Sequence, residues 1–366
     1  MTSPSPESAS GPLHTRACAL FGVRYPIVQT GMGWVAGPRL VAATSAAGGL
    51  GILASATMTY EALTSAVAEV KDRTDRPFGV NIRSDHADAA RIVELLVRER
   101  VALASFAQAP TERLVKTLRD GGVLTMPTVA ARRHAEKVAA WGVDAVIAQG
   151  HEGGGHTGPV ATSLLLPDVT GAVDIPVLGA GGFKDGRGLV AALAWGAEGI
   201  AMGTRFLLTR ESTVPDAVKA RYLQAGLADT VVTTAVDGYP QRVIRTSLVD
   251  RLERGSGPVA FMRSAANAWR LRRLTDTSVG ALVREGVAMR RHSDLSWRQV
   301  AMAANAPMLT RAALVQGRPE AGVLPTGQVV GAIDSLPSVA EVIEGVVAEA
   351  LETLARLADV APKEPV

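Results

Sequence analysis

The groups best suited to chemistry concentrate in ten residues, Gln149-Gly-His-Glu-Gly-Gly-Gly-His-Thr-Gly158. Five glycines let backbone approach a ligand closely and reach positive φ, while His151, Glu152 and His156 supply the titratable groups. A zincin needs histidines at i and i+4 on a helix. His151 and His156 are instead five apart in a glycine-rich loop with no third ligand in view, so no metal site is expected. His156 is the candidate for acid–base catalysis and His151 reads as solvent-facing. The competing reading of the segment is a flexible turn with exposed histidines.

A second segment, Ile175-Pro-Val-Leu-Gly-Ala-Gly-Gly-Phe-Lys-Asp-Gly186, is followed one unit later by Gly199-Ile-Ala-Met-Gly-Thr-Arg205. Backbone N–H groups and a helix N-terminus in such loops can hold a cofactor phosphate. Lys184 stands where a dinucleotide fingerprint needs its third glycine, and Walker-A chemistry is absent. Tight turn packing alone is the alternative. Gln29, Asn81 and Gln149 form a third set, neutral amides that can donate to and accept from a polar heterocycle such as a flavin ring. Singly, each is more often a satisfied turn residue; their shared place at strand ends favours the binding role.

These residues share a structural address. Short β-branched or apolar runs, each followed by a helical stretch, occupy residues 25–29, 51–54, 78–82, 101–107, 123–129, 144–149, 176–179 and 199–202. Eight parallel βα units predict a TIM (β/α)8 barrel, an α/β fold that places polar and glycine residues at its strand ends for catalysis. Domain limits follow: a disordered tail over 1–15, the barrel over 16–210, an Arg-rich helical cap over 211–300, and a segment over 301–366. The last of these ends in an amphipathic helix, Ser338–Leu357, that returns to the barrel.

The 366 residues are 47% apolar, ample for a core at that length. The formal charge is only +3, yet residues 241–300 hold twelve Arg, no Lys and five acids, which is +7 and leaves about −4 elsewhere. Arg242, Arg245, Arg251, Arg254 and the Arg270, Arg272, Arg273 group are either a solvated face or a clamp for a phosphorylated handle such as coenzyme A, with Arg242 and Arg245 the candidate substrate contacts. Phe261 and Trp269 are too few aromatics for a nucleic-acid platform. One cysteine, Cys18, excludes an internal disulfide and fits a cytoplasmic protein. The N-terminus has neither a basic region nor an apolar core, so no leader is expected. Residues 40–60 are charge-free, but Gly48-Gly-Leu-Gly51 and several Thr and Ser break the run, so no membrane span is expected. A homodimer is compatible with everything above.

Several motifs together resemble a known family, the FMN-dependent barrel enzymes that include nitronate monooxygenases and flavin enoyl-ACP reductases. They are Tyr-Pro-Ile-Val-Gln-Thr-Gly-Met (25–32), Gly-Gly-Leu-Gly (48–51), Phe-Gly-Val-Asn (78–81), Glu-Gly-Gly-Gly-His-Thr-Gly (152–158) and Met-Gly-Thr-Arg-Phe (202–206). The resemblance runs from about Leu20 over nearly the whole chain. It implies FMN contacts at Gln29, Thr30, Gly31, Met32, Asn81, Gln149, Gly154, Gly182, Ala201, Met202, Gly203 and Thr204, and an active-site histidine at His156. The family usually has Ala after the loop glutamate and Gln before Met-Gly-Thr. This chain has Gly153 and Ala201, so the contact at 201 is expected through backbone. Further segments, 29–37, 52–59, 154–162, 212–219 and 221–227, are similar to one branch of the family, which implies reduction of an activated C=C bond of a CoA thioester of steroid catabolism with NAD(P)H. Alternatives carried with it are oxidation of alkyl nitronates with oxygen and a non-catalytic flavin- or phosphate-binding barrel.

Overall fold

The computed structural model describes residues 11–254 and 297–360, apart from 87 and 108, and only the backbone of 297–305. Eight strands close into a parallel barrel: β1 (Ile27–Gln29), β2 (Leu50–Ala54), β3 (Phe78–Ile82), β4 (Leu103–Phe106), β5 (Leu124–Val129), β6 (Val146–Gln149), β8 (Val177–Ala180) and β9 (Gly199–Met202). Each overlaps one of the eight apolar runs. Strand β7 (Gly155–His156) lies outside the barrel. Between the strands run α2 (Pro38–Ala46), α3 (Tyr60–Arg73), α4 (Ala89–Arg98), α5 (Glu112–Asp120), α6 (Arg132–Ala140), α7 (Thr162–Thr170) and α8 (Gly186–Ala194), with α1 (Arg16–Phe21) before them and α9 (Thr204–Leu207) after.

The local causes are visible in α3. Leu63, Ala66, Val67 and Val70 fall on one buried stripe, the Thr59 hydroxyl accepts the Ala62 N–H, and Lys71 and Arg73 close the last turn where a cation favours the helix dipole. Strands β2, β3 and β4 are buried on both faces, as parallel strands flanked by helices must be. One face fills the barrel with Val28, Leu50, Ile52, Leu103, Met126, Ile147, Leu178, Ala180 and Ala201. The other, with Leu53, Val80, Ile82 and Phe106, packs under the helices, each large side chain contributing about 1.5–3 kcal/mol of burial.

The chain divides into two compact units, one of residues 1–152, 158–213 and 335–366, the other of 153–157 and 214–334. The first holds the barrel and α13 (Val339–Val360), which packs along α8; Glu349 accepts the Gly186 N–H at 2.8 Å. Residues 1–10 of the expected tail lie outside the described residues. Residues 11–15 are not tail-like, because Leu13 is buried and the Thr15 hydroxyl donates to the Glu198 carbonyl at 2.6 Å.

The second unit contains α10 (Asp216–Leu223), β10 (Thr230–Thr233), β11 (Gln241–Ile244), α11 (Ser247–Arg254) and α12 (Trp297–Leu314). Where the pattern predicts helices, β10, β11 and β7 make a three-stranded antiparallel sheet in the order β10-β11-β7. The reason is local: Thr-Val-Val-Thr and Gln-Arg-Val-Ile are strand formers, and Asp237-Gly238 between them, with Gly238 at φ 90°, turns the chain. The Arg270, Arg272 and Arg273 group lies outside the described residues. Among those that are described, no helix is long and apolar enough to cross a membrane.

Candidate active site

Within the barrel unit the register aligns the polar strand ends. Gln29 pairs with Met202 across β1 and β9, Asn81 lies between Ala54 and Ser105, and Gln149 pairs with Ala180. Gln29 is fully buried; its Nε2 donates to the carbonyls of Ile52, at 3.1 Å, and of Thr30. That leaves Oε1 buried with no hydrogen-bond partner. Asn81 Nδ2 donates to Ser105 Oγ at 2.9 Å, and the Asn81 carbonyl accepts the Ser55 hydroxyl at 2.6 Å. Gly31 sits so close to Asn81 that a Cβ there would lie 3.1 Å from Asn81 Cγ. Thr30 N–H donates to the Met202 carbonyl at 3.2 Å, and a Cβ on Gly203 would approach Thr30 Oγ1 and Met32 Sδ at 3.3 and 3.4 Å. Gln29, Thr30, Gly31, Met32, Asn81, Met202 and Gly203 are thus gathered at one end of the barrel. Thr204 begins α9, and the Ala201 side chain packs into the barrel interior. Just beyond Met32, Trp34 holds φ at 65°, an outlier for so bulky a residue.

Within the loop 175–186, two features suited to a phosphate differ. Helix α8 is already capped, because Asp185 accepts the Gly188 N–H at 3.0 Å and Glu349 accepts the Gly186 N–H. Burial pushes the Asp185 carboxyl up, but its bonds with Lys184, Gly188 and Arg187 hold it below its ordinary range. Two N–H groups of the α8 N-terminus, those of Gly186 and Gly188, are thus taken by carboxylates. Ahead of it, Gly181 and Gly182 take φ of 99° and 84°, and a Cβ on Gly182 would meet only the Glu152 side chain, 3.7 Å away. That is an open backbone cradle of the kind that receives anions.

The histidine loop resolves into separate jobs. His151 is partly buried, not solvent-facing, and its Nδ1 lies 2.9 Å from the Gly158 carbonyl, which fixes that nitrogen as a donor. Glu152 Oε2 accepts both the N–H and the hydroxyl of Thr162, at 2.9 and 2.8 Å, and so holds the start of α7. His156 belongs with Gly154 to the second unit. On β7 it pairs with Gln241 of β11, and its Nε2 lies 2.6 Å from Asp237 Oδ2. The imidazole is 60% exposed and the Asp237 side chain 10%. Burial pushes the Asp237 carboxyl up, but bonds with His156, the Tyr239 N–H and Gln241 outweigh that and keep it below the usual range. The Tyr239 ring meets the imidazole edge-on, 5.9 Å between centroids at 88°. Asp237 and Tyr239 were not legible as site residues. Arg242, next on β11, is buried and donates to Thr230 Oγ1 at 2.9 Å, whereas exposed Arg245 lies 3.4 Å from Asp250 and 3.9 Å from Glu253.

The sequence model for nitronate monooxygenases matches residues 14–94 and 89–349. The chain belongs to the nitronate monooxygenase family. It is accordingly an oxidoreductase, and the flavin on which this family depends suits the residues present: an orphaned buried amide oxygen, a set of neutral amides and a glycine cradle at one barrel end. Within the family, two relatives are similar over almost their entire length. A protein of Mycobacterium tuberculosis (strain ATCC 25618 / H37Rv) is 59% identical over 345 residues, and one of Rhodococcus jostii (strain RHA1) 57% over 342; each match covers 93% of this chain and 97% of the relative. Both are named (3aS,4S,5R,7aS)-5-hydroxy-7a-methyl-1-oxo-octahydro-1H-indene-4-carboxyl-CoA dehydrogenase. Among solved structures, FabK from Thermotoga maritima superposes with a TM-score of 0.78 at 34% identity, covering 95% of this chain and 99% of FabK.

Proposed function

We propose that the protein is an FMN-dependent oxidoreductase that interconverts the saturated and α,β-unsaturated forms of a bicyclic acyl-CoA thioester, exchanging electrons with NAD(P)H. The observation that carries this reading is the 57% and 59% identity, over 93% of the chain, to two proteins named for dehydrogenating an indene-carboxyl-CoA. Their names are written for oxidation. Reduction of the C=C bond with NAD(P)H is the same step reversed.

A thioester carbonyl acidifies the C–H beside it. In the oxidising direction that proton passes to His156, the β-carbon loses hydride, and the two carbons close a double bond; in the reducing direction His156 returns the proton to the α-carbon. A flavin, when bound, would supply the two-electron chemistry that the β-hydride needs, with NAD(P)H as its redox partner. FMN would be held by Gln29, Thr30, Gly31, Met32, Asn81, Gln149, Gly154, Gly182 and residues 201–204. The orphaned Gln29 oxygen supports an N–H donor on the ligand. For the coenzyme A phosphates, Arg245 suits better than Arg242, since its exposed, long ion pairs are readily exchanged.

Mass spectrometry tests this. The flavin-loaded protein with NAD(P)+ should remove the mass of H2 from a saturated bicyclic CoA ester, and with NAD(P)H add it to the unsaturated one. The family's own name favours a second reading, oxidation of nitronates by oxygen. Oxygen uptake with alkyl nitronates, together with no mass change in any CoA ester, would replace the first reading by the second.

A further inference from the structure

We propose that Asp237 is a positioning residue for His156, fixing the orientation of the imidazole and keeping a hydrogen on its Nε2. The inference rests on the reading of His156 as the acid–base group. Its first support is the 2.6 Å contact between Nε2 and Asp237 Oδ2. An ionised carboxylate only accepts, so the neutral imidazole bound to it must carry its hydrogen on Nε2.

The carboxylate is itself held. Oδ1 accepts the Tyr239 N–H at 3.1 Å, in a turn that Gly238 makes with φ 90°. That turn carries the Tyr239 ring to the imidazole edge, while the pairing of His156 with Gln241 sets the backbone beneath it. A side chain 60% exposed on a two-residue strand is thereby restrained at its ring nitrogen, its ring edge and its backbone. Such restraint is what an acid–base group needs, and a solvent-facing histidine does not. The titratable and charged groups on the described elements packed against β7 are Asp237, Tyr239 and Arg242, the last with its guanidinium on Thr230.

The test uses the flavin-loaded full chain with 15N-labelled imidazoles, assigning His156 among six histidines by its loss in His156→Gln. Wild type should show the Nε2–H tautomer. Asp237→Ala should lose that preference. Asp237→Asn, which keeps an acceptor for the Tyr239 N–H, serves if Asp237→Ala does not fold. With the CoA ester as substrate, kcat should fall about 10–100-fold in both variants while KM stays within about twofold. Asp237→Glu should recover part of the rate. A wild-type Nδ1–H tautomer, or variants whose tautomer and kcat coincide with wild type, would overturn the assignment. An Nε2–H tautomer in a protein that turns over no CoA ester would instead remove the proposed substrate and leave the positioning intact.

Discussion

Alanine at Gly154 should damage the His156 loop far more than alanine at the next residue. A Cβ on Gly154 would sit 2.5 Å from Gly327 N and 2.9 Å from Thr326 O, and closer still to the Thr326 carbonyl carbon. Carbon contacts settle at about 3.5–4.0 Å, so a main-chain segment must shift by about 1 Å to admit it. Overpacking of this kind costs about 1–3 kcal/mol, and the upper end applies here because backbone atoms have no rotamer to escape into. A Cβ on Gly155 meets nothing within 4 Å; its penalty is the φ of 65° alone, about 1 kcal/mol. The two variants should therefore differ by about 2 kcal/mol, roughly 30-fold in the unfolding equilibrium. Urea unfolding of both, read by circular dichroism, measures that gap. Turnover gives a second readout, since displacing the histidine by about 1 Å should lower kcat by about 100-fold in Gly154→Ala only. Equal losses in the two variants, or a larger loss at Gly155, would refute the crowding argument.

Other consequences follow from single groups. Gln29→Glu buries a carboxylate against the Thr30 and Ile52 carbonyls, which raises its pKa, so this variant should gain stability relative to wild type as pH falls from 8 to 5, by about 1 kcal/mol or more. Asp237 behaves oppositely. Its pKa is depressed in the folded protein, so its contribution is complete above the unfolded value near 3.8 and is lost as pH falls through the folded one; wild type should shed more stability than Asp237→Asn below about pH 4. Arg242→Ala removes a buried donor and should destabilise by about 1–3 kcal/mol, whereas Arg245→Ala should cost under about 1 kcal/mol. If Arg245 binds coenzyme A, Arg245→Ala should raise KM for the CoA ester severalfold and leave KM for the matching pantetheine thioester unchanged, as steady-state kinetics would show.

The barrel was legible because its evidence is local. Each strand is a short apolar run read within a few residues, and Gln29 and Asn81 stand at strand ends that the runs themselves define. The same locality explains the histidine, whose glycine setting lies in ten consecutive residues. What pairs with it does not. Asp237 is 81 residues beyond His156, in a turn of ordinary composition, and only the antiparallel register of β7 on β11 brings the two together. Glu349 is likewise 163 residues from the helix start it caps, so nothing near Gly186 signals that its N–H is taken. The strands β10 and β11 escaped for a different reason: four-residue runs of Thr, Val, Gln and Arg are too short for a period to separate strand from helix.

The activity proposed for this protein passes hydride between a bound flavin and the carbon chain of a CoA thioester. Anaerobic stopped-flow mixing tests it most directly, by reducing the bound flavin with NAD(P)H and then challenging it separately with an unsaturated bicyclic CoA ester and with buffer. Reoxidation of the flavin by the ester alone, slowed in His156→Gln, is the predicted result. Flavin that stays reduced with every CoA ester offered, yet is reduced from its oxidised state by alkyl nitronates, would contradict it.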